Sequence, residues 1–353
     1  MKISIVITDI TRRGGTEKAT FNLLAGLLNK GVEAKVISLF KESSYTQENS
    51  EKISYLVSGG YDISHGKLYR IKRLLQAIRK FRSYERKQPG DVIYVGQAFL
   101  PSLVLWLSGV SKRSVACEHF KFDLYGKLVT KIRNRIYSHF RRVVTLTDSA
   151  CDAYRSEGID AVTIPNMIPN VQTEPVRTKE KRLITAGRFS HEKGFDMLLH
   201  AMVKVKEKHP DWYLDIYGEG AERDALIQLA EELELGDSVR FNKFSTNLYK
   251  ELSDSDIYVL PSRHEGLPMV MLEAMACRVS IVSFACSPGP VSLLEDGCGS
   301  LVTPGDAEAL GHEICRMIEN PDMRKVYVAN AYRKSEEYSP EKVIEKWMGV
   351  LES

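Results

Sequence analysis

The 353-residue chain has no apolar run approaching the about 20 residues of a membrane-spanning helix. Its opening segment, Met1-Lys-Ile-Ser-Ile-Val-Ile-Thr, is broken at Ser4 and ended by Asp9, too short for a secretory leader. The six cysteines include no CxxC pair and no zinc-like spacing, so free, mostly buried thiols in a reducing cytoplasm are expected. His191, His200, His209, His264 and His312 form no ligand-like cluster, and neither a metal nor another cofactor is expected. Helix-turn-helix, zinc-finger and RNA-stacking motifs are also missing, which argues against a nucleic-acid partner. With 43% hydrophobic and 27% charged residues and no low-complexity tract, the whole chain should fold.

What the chain does have is charge asymmetry. Residues 1 to 170 hold 27 Lys and Arg against 15 Asp and Glu, a net of +12, while the remainder is −9. Two segments account for most of the excess: residues 67 to 87 carry nine basic residues and one acid, and residues 127 to 142 carry six and none. Leu68, Ile71, Leu75, Ile78 and Phe81 recur at helical spacing in the first, giving a basic amphipathic stretch. It either packs on a sheet or docks on the anionic inner face of the cytoplasmic membrane.

Val- and Ile-rich runs alternate with amphipathic stretches of helical period, as in parallel sheets covered by helices. Strands are expected at 3–7, 34–39, 92–95, 114–117 and 142–146, then again at 182–186, 213–217, 239–241, 257–260 and 280–283. Helices are expected at 17–30, 68–87 and 149–157, and at 195–208, 222–233 and 268–277. The pattern restarts after a polar, Pro-containing linker at 171–181. The fold class is therefore α/β, with two doubly wound domains at 1–170 and 182–338 and a final helix at 339–353. Ligands of such sheets bind at the carboxyl ends of strands, which places the expected site in the crevice between the two domains.

Gly187-Arg188-Phe-Ser-His-Glu-Lys193-Gly follows one of these strands and precedes a helix. A guanidinium fork, an ammonium and a helix amino terminus together favour a diphosphate, although cations on a solvated loop are the plain alternative. A second constellation is Pro261-Ser-Arg-His-Glu265-Gly-Leu-Pro-Met-Val-Met-Leu-Glu273. Pro268 suits a helix start, so Glu265 stands at the helix mouth and Glu273 lies roughly 12 Å further along. That separation is too long for an acid/base pair on one bond. The two carboxylates would instead grip opposite ends of an extended ligand, Glu265 at a sugar and Glu273 at ribose hydroxyls. Tyr217-Gly218-Glu-Gly220 reads as a tight turn rather than a second phosphate site.

Strand-Gly-Arg-x4-Lys-Gly followed by Glu-Gly-x6-Glu resembles the retaining glycosyltransferases of family 4, which have the GT-B fold of two Rossmann-like domains facing across a cleft. The resemblance covers the whole chain. Arg13-Gly14-Gly15-Thr16-Glu17 is similar to the family's glycine loop, where a dinucleotide site would need GxGxxG. Cys117-Glu118-His119 matches the family's sugar-facing histidine. Ile164-Pro165-Asn166 and Gly289-Pro290 through Gly297 match further motifs, while Lys243 and Arg278 replace usual glycines, Ser280 a proline and Ser292 a glutamate.

The resemblance implies a metal-independent, retaining transfer of a sugar from a nucleotide diphosphate donor, UDP favoured over GDP. The acceptor would be a glycan or a lipid-linked chain in polysaccharide or glycolipid assembly. Arg188 and Lys193 would stabilise the leaving diphosphate, His119 and Glu265 would position the sugar, and Gly14, Gly15, Gly266, Leu267, Pro268, Met269 and Glu273 would bind the donor. The final helix would pack back on the first domain. An epimerase of the same architecture, or a non-catalytic nucleotide-sugar-binding module, are the alternative readings.

Overall fold

The computed structural model describes residues 1–12, 14–43, 50–61, 65–88, 90–120, 122, 126–168, 181–245 and 247–353. The chain divides into two compact units, Met1–Met167 with Pro340–Ser353, and Ile168–Ser339. Of the expected linker only Lys181 is among the described residues, and Arg13 of the glycine loop lies outside them.

Ile3, Ile5 and Ile7 of β1 (Lys2–Ile7) enter one core cluster while Val6 between them enters another, so the strand needs cover on both faces. The chain supplies that cover through α1 (Gly15–Asn29), β2 (Glu33–Lys41), β3 (Ile53–Ser58), α2 (Lys67–Glu85), β4 (Val92–Gln97) and α3 (Phe99–Leu107). It continues through β5 (Ser114–Glu118), α4 (Lys127–Tyr137), β6 (Arg142–Thr145), α5 (Asp148–Ser156) and β7 (Ala161–Thr163). The strands pair in parallel in the order β3-β2-β1-β4-β5-β6-β7. The strand order reverses between β1 and β4, which makes their carboxyl ends the ligand-binding switch point. Gly14 and Gly15 follow β1 there, and His119 follows β5.

The second unit repeats the plan with β8 (Arg182–Ala186), α6 (Phe195–Lys208), β9 (Tyr213–Tyr217), α7 (Arg223–Glu232), β10 (Val239–Asn242), α8 (Leu248–Ser253) and β11 (Ile257–Leu260). After these come α9 (Met269–Ala276), β12 (Ser280–Phe284), α10 (Pro288–Leu294), β13 (Ser300–Val302), α11 (Ala307–Glu319) and α12 (Pro321–Ser335). The order β10-β9-β8-β11-β12-β13, again parallel, puts the switch between β8 and β11. Both motif loops identified in the sequence leave these two strands.

The last helix, α13 (Pro340–Glu352), belongs to the first unit and packs on α1. Val343, Ile344, Trp347, Val350 and Leu351 are buried, each contributing about 1.5–3 kcal/mol of apolar burial. Gly26 admits the contact: a Cβ there would stand 2.5 Å from Ile344 Cγ1. The strands β3, β7 and β13 were not expected from sequence. The start of α1 also shifts, since the helix begins at Gly15 rather than Glu17.

Candidate active site

In the second unit, the loops after β8 and β11 are fastened to one another by backbone and side chain. Gly194 adopts the left-handed conformation (φ 64°), and a Cβ there would lie 2.0 Å from the Pro261 carbonyl oxygen. Only glycine fits. Arg263 donates its backbone N–H to the Glu192 carbonyl (2.8 Å) and its guanidinium to the His191 carbonyl (2.7 Å). Its fork also grips the Asp196 carboxylate at 2.8 and 2.6 Å, holding Asp196 below the usual carboxylate range. The α10 turn closes on the same place, because a Cβ on Gly289 would meet the Gly266 carbonyl oxygen at 1.7 Å.

These fastenings bring together two residues 72 positions apart. Lys193 Nζ donates to Glu265 Oε1 at 2.7 Å, and Ser262 Oγ donates to the same oxygen at 2.7 Å. Arg188 lies exposed at the carboxyl end of β8. Cys286, after β12, stands close enough to feel both Glu265 and Lys193, although burial is what chiefly raises its thiol pKa. Leu267, Pro268 and Met269 are buried where α9 begins. Pro268 has no N–H, so the donors of that segment are Gly266, Leu267 and Met269.

Glu273 is fully buried on α9 and keeps company with two tyrosines. Burial first, then its charge and a hydrogen bond to it, raise the Tyr249 hydroxyl; burial and the charges of Glu265 and Glu273 do the same for Tyr258. A solvated helix charge would show none of this. Tyr217-Gly218-Glu-Gly220 is a turn pressed on the β8 loop, with Phe189 N–H donating to the Glu219 carbonyl at 3.0 Å.

In the first unit, Gly14 caps α1 without a side-chain acceptor and Gly15 opens the helix. Asp9, buried at the end of β1, orders the approach by accepting from Thr11 N–H (2.9 Å), the Thr11 hydroxyl (2.6 Å) and Glu42 N–H (2.9 Å). His119 is buried, its Nε2 against Gln97 Oε1 and 3.6 Å from Cys117 Sγ. Burial lowers its pKa to about 4. The ring is therefore neutral near pH 7, with one nitrogen able to donate and the other to accept a hydrogen bond. It lines a cavity of about 20 Å³, room for one water, together with Gln97, Asn166 and Trp347 of α13.

Glu118 steers this histidine. One carboxylate oxygen accepts the N–H groups of His119 (3.1 Å) and Phe120 (3.2 Å), and the other accepts the Tyr137 hydroxyl (2.9 Å). Burial nevertheless lifts its pKa, with Arg133 and those hydrogen bonds opposing the rise. Glu118, Gln97, Asp196, Ser262 and Arg263 were not singled out in the sequence. Only Glu118 carried a signal there, as an acid beside the motif histidine at a strand end.

The buried histidine gives a pH prediction. The unfolded chain binds this proton near pH 6.5 and the folded chain near pH 4, so stability falls as pH drops through that window. Glu118 works the other way, since a raised carboxyl gains its proton earlier in the folded state. Urea titrations at neutral pH and near pH 5 should show the wild type losing about 2 kcal/mol more than His119→Gln, in which the Glu118 contribution persists. Equal losses would mean that the imidazole titrates normally.

Among the described residues no group of three or more His, Cys, Asp or Glu comes together as a metal site. Among them, too, no helix is long and apolar enough to cross a membrane.

Two families match the chain in succession: "Glycosyltransferase Family 4" over residues 13–170 and "Glycosyl transferases group 1" over residues 169–334. An uncharacterized glycosyltransferase of Haemophilus influenzae is 29% identical over 99% of both chains. The amylovoran biosynthesis glycosyltransferase AmsD of Erwinia amylovora is 25% identical over 99% of both. Among solved structures, a point mutant of Staphylococcus aureus TarM, crystallised with fondaparinux, α-GlcNAc-glycerol and UDP, superposes with a TM-score of 0.83 at 16% identity over the whole of both chains. Two Rossmann-like units, each carrying its motif loops at the switch point of its sheet, agree with both family matches, and the chain is a glycosyltransferase of the GT-B fold.

Proposed function

We propose that this glycosyltransferase is a retaining enzyme that takes a sugar from a UDP-sugar and adds it to a growing polysaccharide or glycolipid. The observation that carries the reading is the fastened pair of loops in the second unit, which holds Lys193 on Glu265 beside Arg188 at the sheet's switch point. Support for the donor comes from the TarM mutant crystallised with UDP, and for the acceptor class from the relative named for amylovoran biosynthesis.

In this reading the bond from the sugar's anomeric carbon to the diphosphate oxygen breaks first, with its electron pair leaving on phosphate. Arg188 and Lys193 neutralise that charge, and the N–H groups of Gly266, Leu267 and Met269 add dipoles aimed at it. The acceptor hydroxyl attacks the oxocarbenium-like carbon from the face the phosphate vacates and gives its proton to a phosphate oxygen. Glu265 aligns the sugar and Glu273 accepts the ribose hydroxyls, while neutral His119 and the Gly14-Gly15 turn are the first unit's candidate groups for the substrates. Positive charge comes from side chains, so turnover should persist in EDTA.

A panel of UDP- and GDP-sugars, offered with a bacterial lipid and glycan extract, tests this by nucleotide release and by NMR of the product's anomeric carbon. Release of UDP with an α-linked product from an α-linked donor is expected. A β-linked product, or consumption of GDP-sugars alone, would overturn the reading.

A further inference from the structure

The basic amphipathic stretch only half enters the core. Ala77, Ile78 and Phe81 of α2 are buried and share a cluster with Val104 and Leu105 of α3 and with Ile136 and Tyr137 of α4. The first half of the same stripe turns outward: Leu68, Ile71 and Leu75 are 85, 53 and 61% exposed. α4 repeats the arrangement, with Leu128 and Ile132 at 72 and 49%. Helices of a folded unit ordinarily keep such residues inward, and contiguous exposed apolar residues mark a contact surface.

Both helices cover the same face of the sheet, and both begin where a parallel strand ends. Their exposed halves therefore stand at the carboxyl edge that also carries His119. Exposed cations lie within the stripes at helical spacing: Lys72 and Arg79 continue the row of Leu68 and Leu75, and Lys131 and Arg135 interleave with Leu128 and Ile132. Neighbouring basic residues are engaged elsewhere. Arg73 donates to the backbone carbonyls of Ser58 and Gly60 and lies over the Phe40 ring, and Arg133 is buried against Phe122 and Tyr154. Among the described residues, Lys72, Arg79, Lys131 and Arg135 face solvent without a carboxylate in ion-pair reach.

We infer that the exposed stripes of α2 and α4 form a docking surface for an anionic lipid leaflet. Leu68, Ile71, Leu75, Leu128 and Ile132 enter the boundary between headgroups and acyl chains, while Lys72, Arg79, Lys131 and Arg135 rest among the lipid phosphates. The chemistry selects this occupant. A second copy would set like charges against each other, and a single-stranded nucleic acid would want aromatic platforms where this surface has aliphatic ones. Delivery of a lipid-linked acceptor to the His119 edge rests on the proposed transfer; the docking itself does not.

Sedimentation with vesicles tests it without any turnover. The wild-type protein should pellet with an equimolar mixture of phosphatidylcholine and phosphatidylglycerol and stay in solution with phosphatidylcholine alone. Each cationic residue lost should weaken the partition about fivefold, and the whole effect should shrink at about 1 M salt, where screening acts within about 3 Å. Lys72→Glu with Arg79→Glu, and separately Leu68→Ser with Leu75→Ser and Leu128→Ser, should each lower binding at least tenfold. These side chains are already solvated, so unchanged thermal unfolding will show that the variants are folded. Wild-type protein left in the supernatant at low salt would overturn the proposal. So would serine variants that pellet like wild type, because the surface would then be ionic only.

Discussion

Lys193→Ala should lower turnover by roughly two to three powers of ten, the scale for removing one preorganised electrostatic stabiliser from a developing charge. The position of Lys193 makes the expectation specific. Its ammonium is fixed on Glu265 at 2.7 Å, and the loop that carries it is clamped through Gly194 and the Arg263–Asp196 fork, so little reorganisation is needed when the diphosphate leaves. Arg188→Ala should cost a similar factor by a different route, because that guanidinium is exposed and free to swing onto phosphate. The two variants should also separate in stability. Lys193→Ala frees a Glu265 carboxylate that is largely buried, whereas Arg188→Ala leaves no buried charge alone. Initial rates with saturating donor, together with thermal unfolding, check both statements. A near wild-type rate in either variant would take that residue out of the mechanism.

Where the chain alternates long apolar runs with helical periods, the sequence was enough. α6 spans Phe195–Lys208 as expected, and the strands after which both cationic and acidic motifs follow were placed within a residue or two. Such runs are readable because a parallel strand buried on both faces must be apolar almost throughout. β7 and β13 are three residues each, too short to display a period, and β3 is a half-buried edge strand whose pattern is correspondingly weak. Arg278 teaches a further point. The resemblance implies a glycine at this position, and the φ of 58° lies in the left-handed region that favours glycine; the Arg278 guanidinium lies over the Tyr332 ring, 4.0 Å from the centroid. Leaving the left-handed region to a non-glycine residue costs roughly 1 kcal/mol, and the ring contact offsets part of it.

The site was legible as residue types and only partly as geometry. Spacing could suggest that Lys193 and Glu265 serve one ligand, but nothing linear says that they bond to each other, since the contact depends on β8 and β11 being neighbours in the sheet. The same is true of Asp196 and Arg263, which read as ordinary surface charges until the loops meet. His119 looked like a sugar-facing group, and its surroundings add that the ring is buried, neutral and aimed by Gln97 and Glu118. Long-range pairing of polar groups leaves no periodic trace, which is why the sequence showed the motifs and not the residues that fasten them.

Glu265 and Glu273 should therefore respond differently to the same substitution. Glu273→Gln should weaken the binding of free UDP by about ten- to a hundredfold, the range for losing charge-assisted hydrogen bonds. Glu273 is enclosed with Tyr249 and Tyr258, so ribose hydroxyls must share or replace the hydrogen bond that Tyr249 makes to it, and a neutral amide competes poorly for both roles. Glu265→Gln acts in the opposite sense on affinity. Its carboxylate holds Lys193, and an amide releases that ammonium to the diphosphate, so UDP should bind as well as to wild type or more tightly. Turnover should still fall by about two powers of ten, because the sugar loses an aligning carboxylate and the cation is no longer held in one place. Calorimetry with UDP measures the affinities, and initial rates measure the turnover. If Glu265→Gln loses UDP affinity as far as Glu273→Gln does, both carboxylates serve the nucleotide and the assignment of Glu265 to the sugar fails.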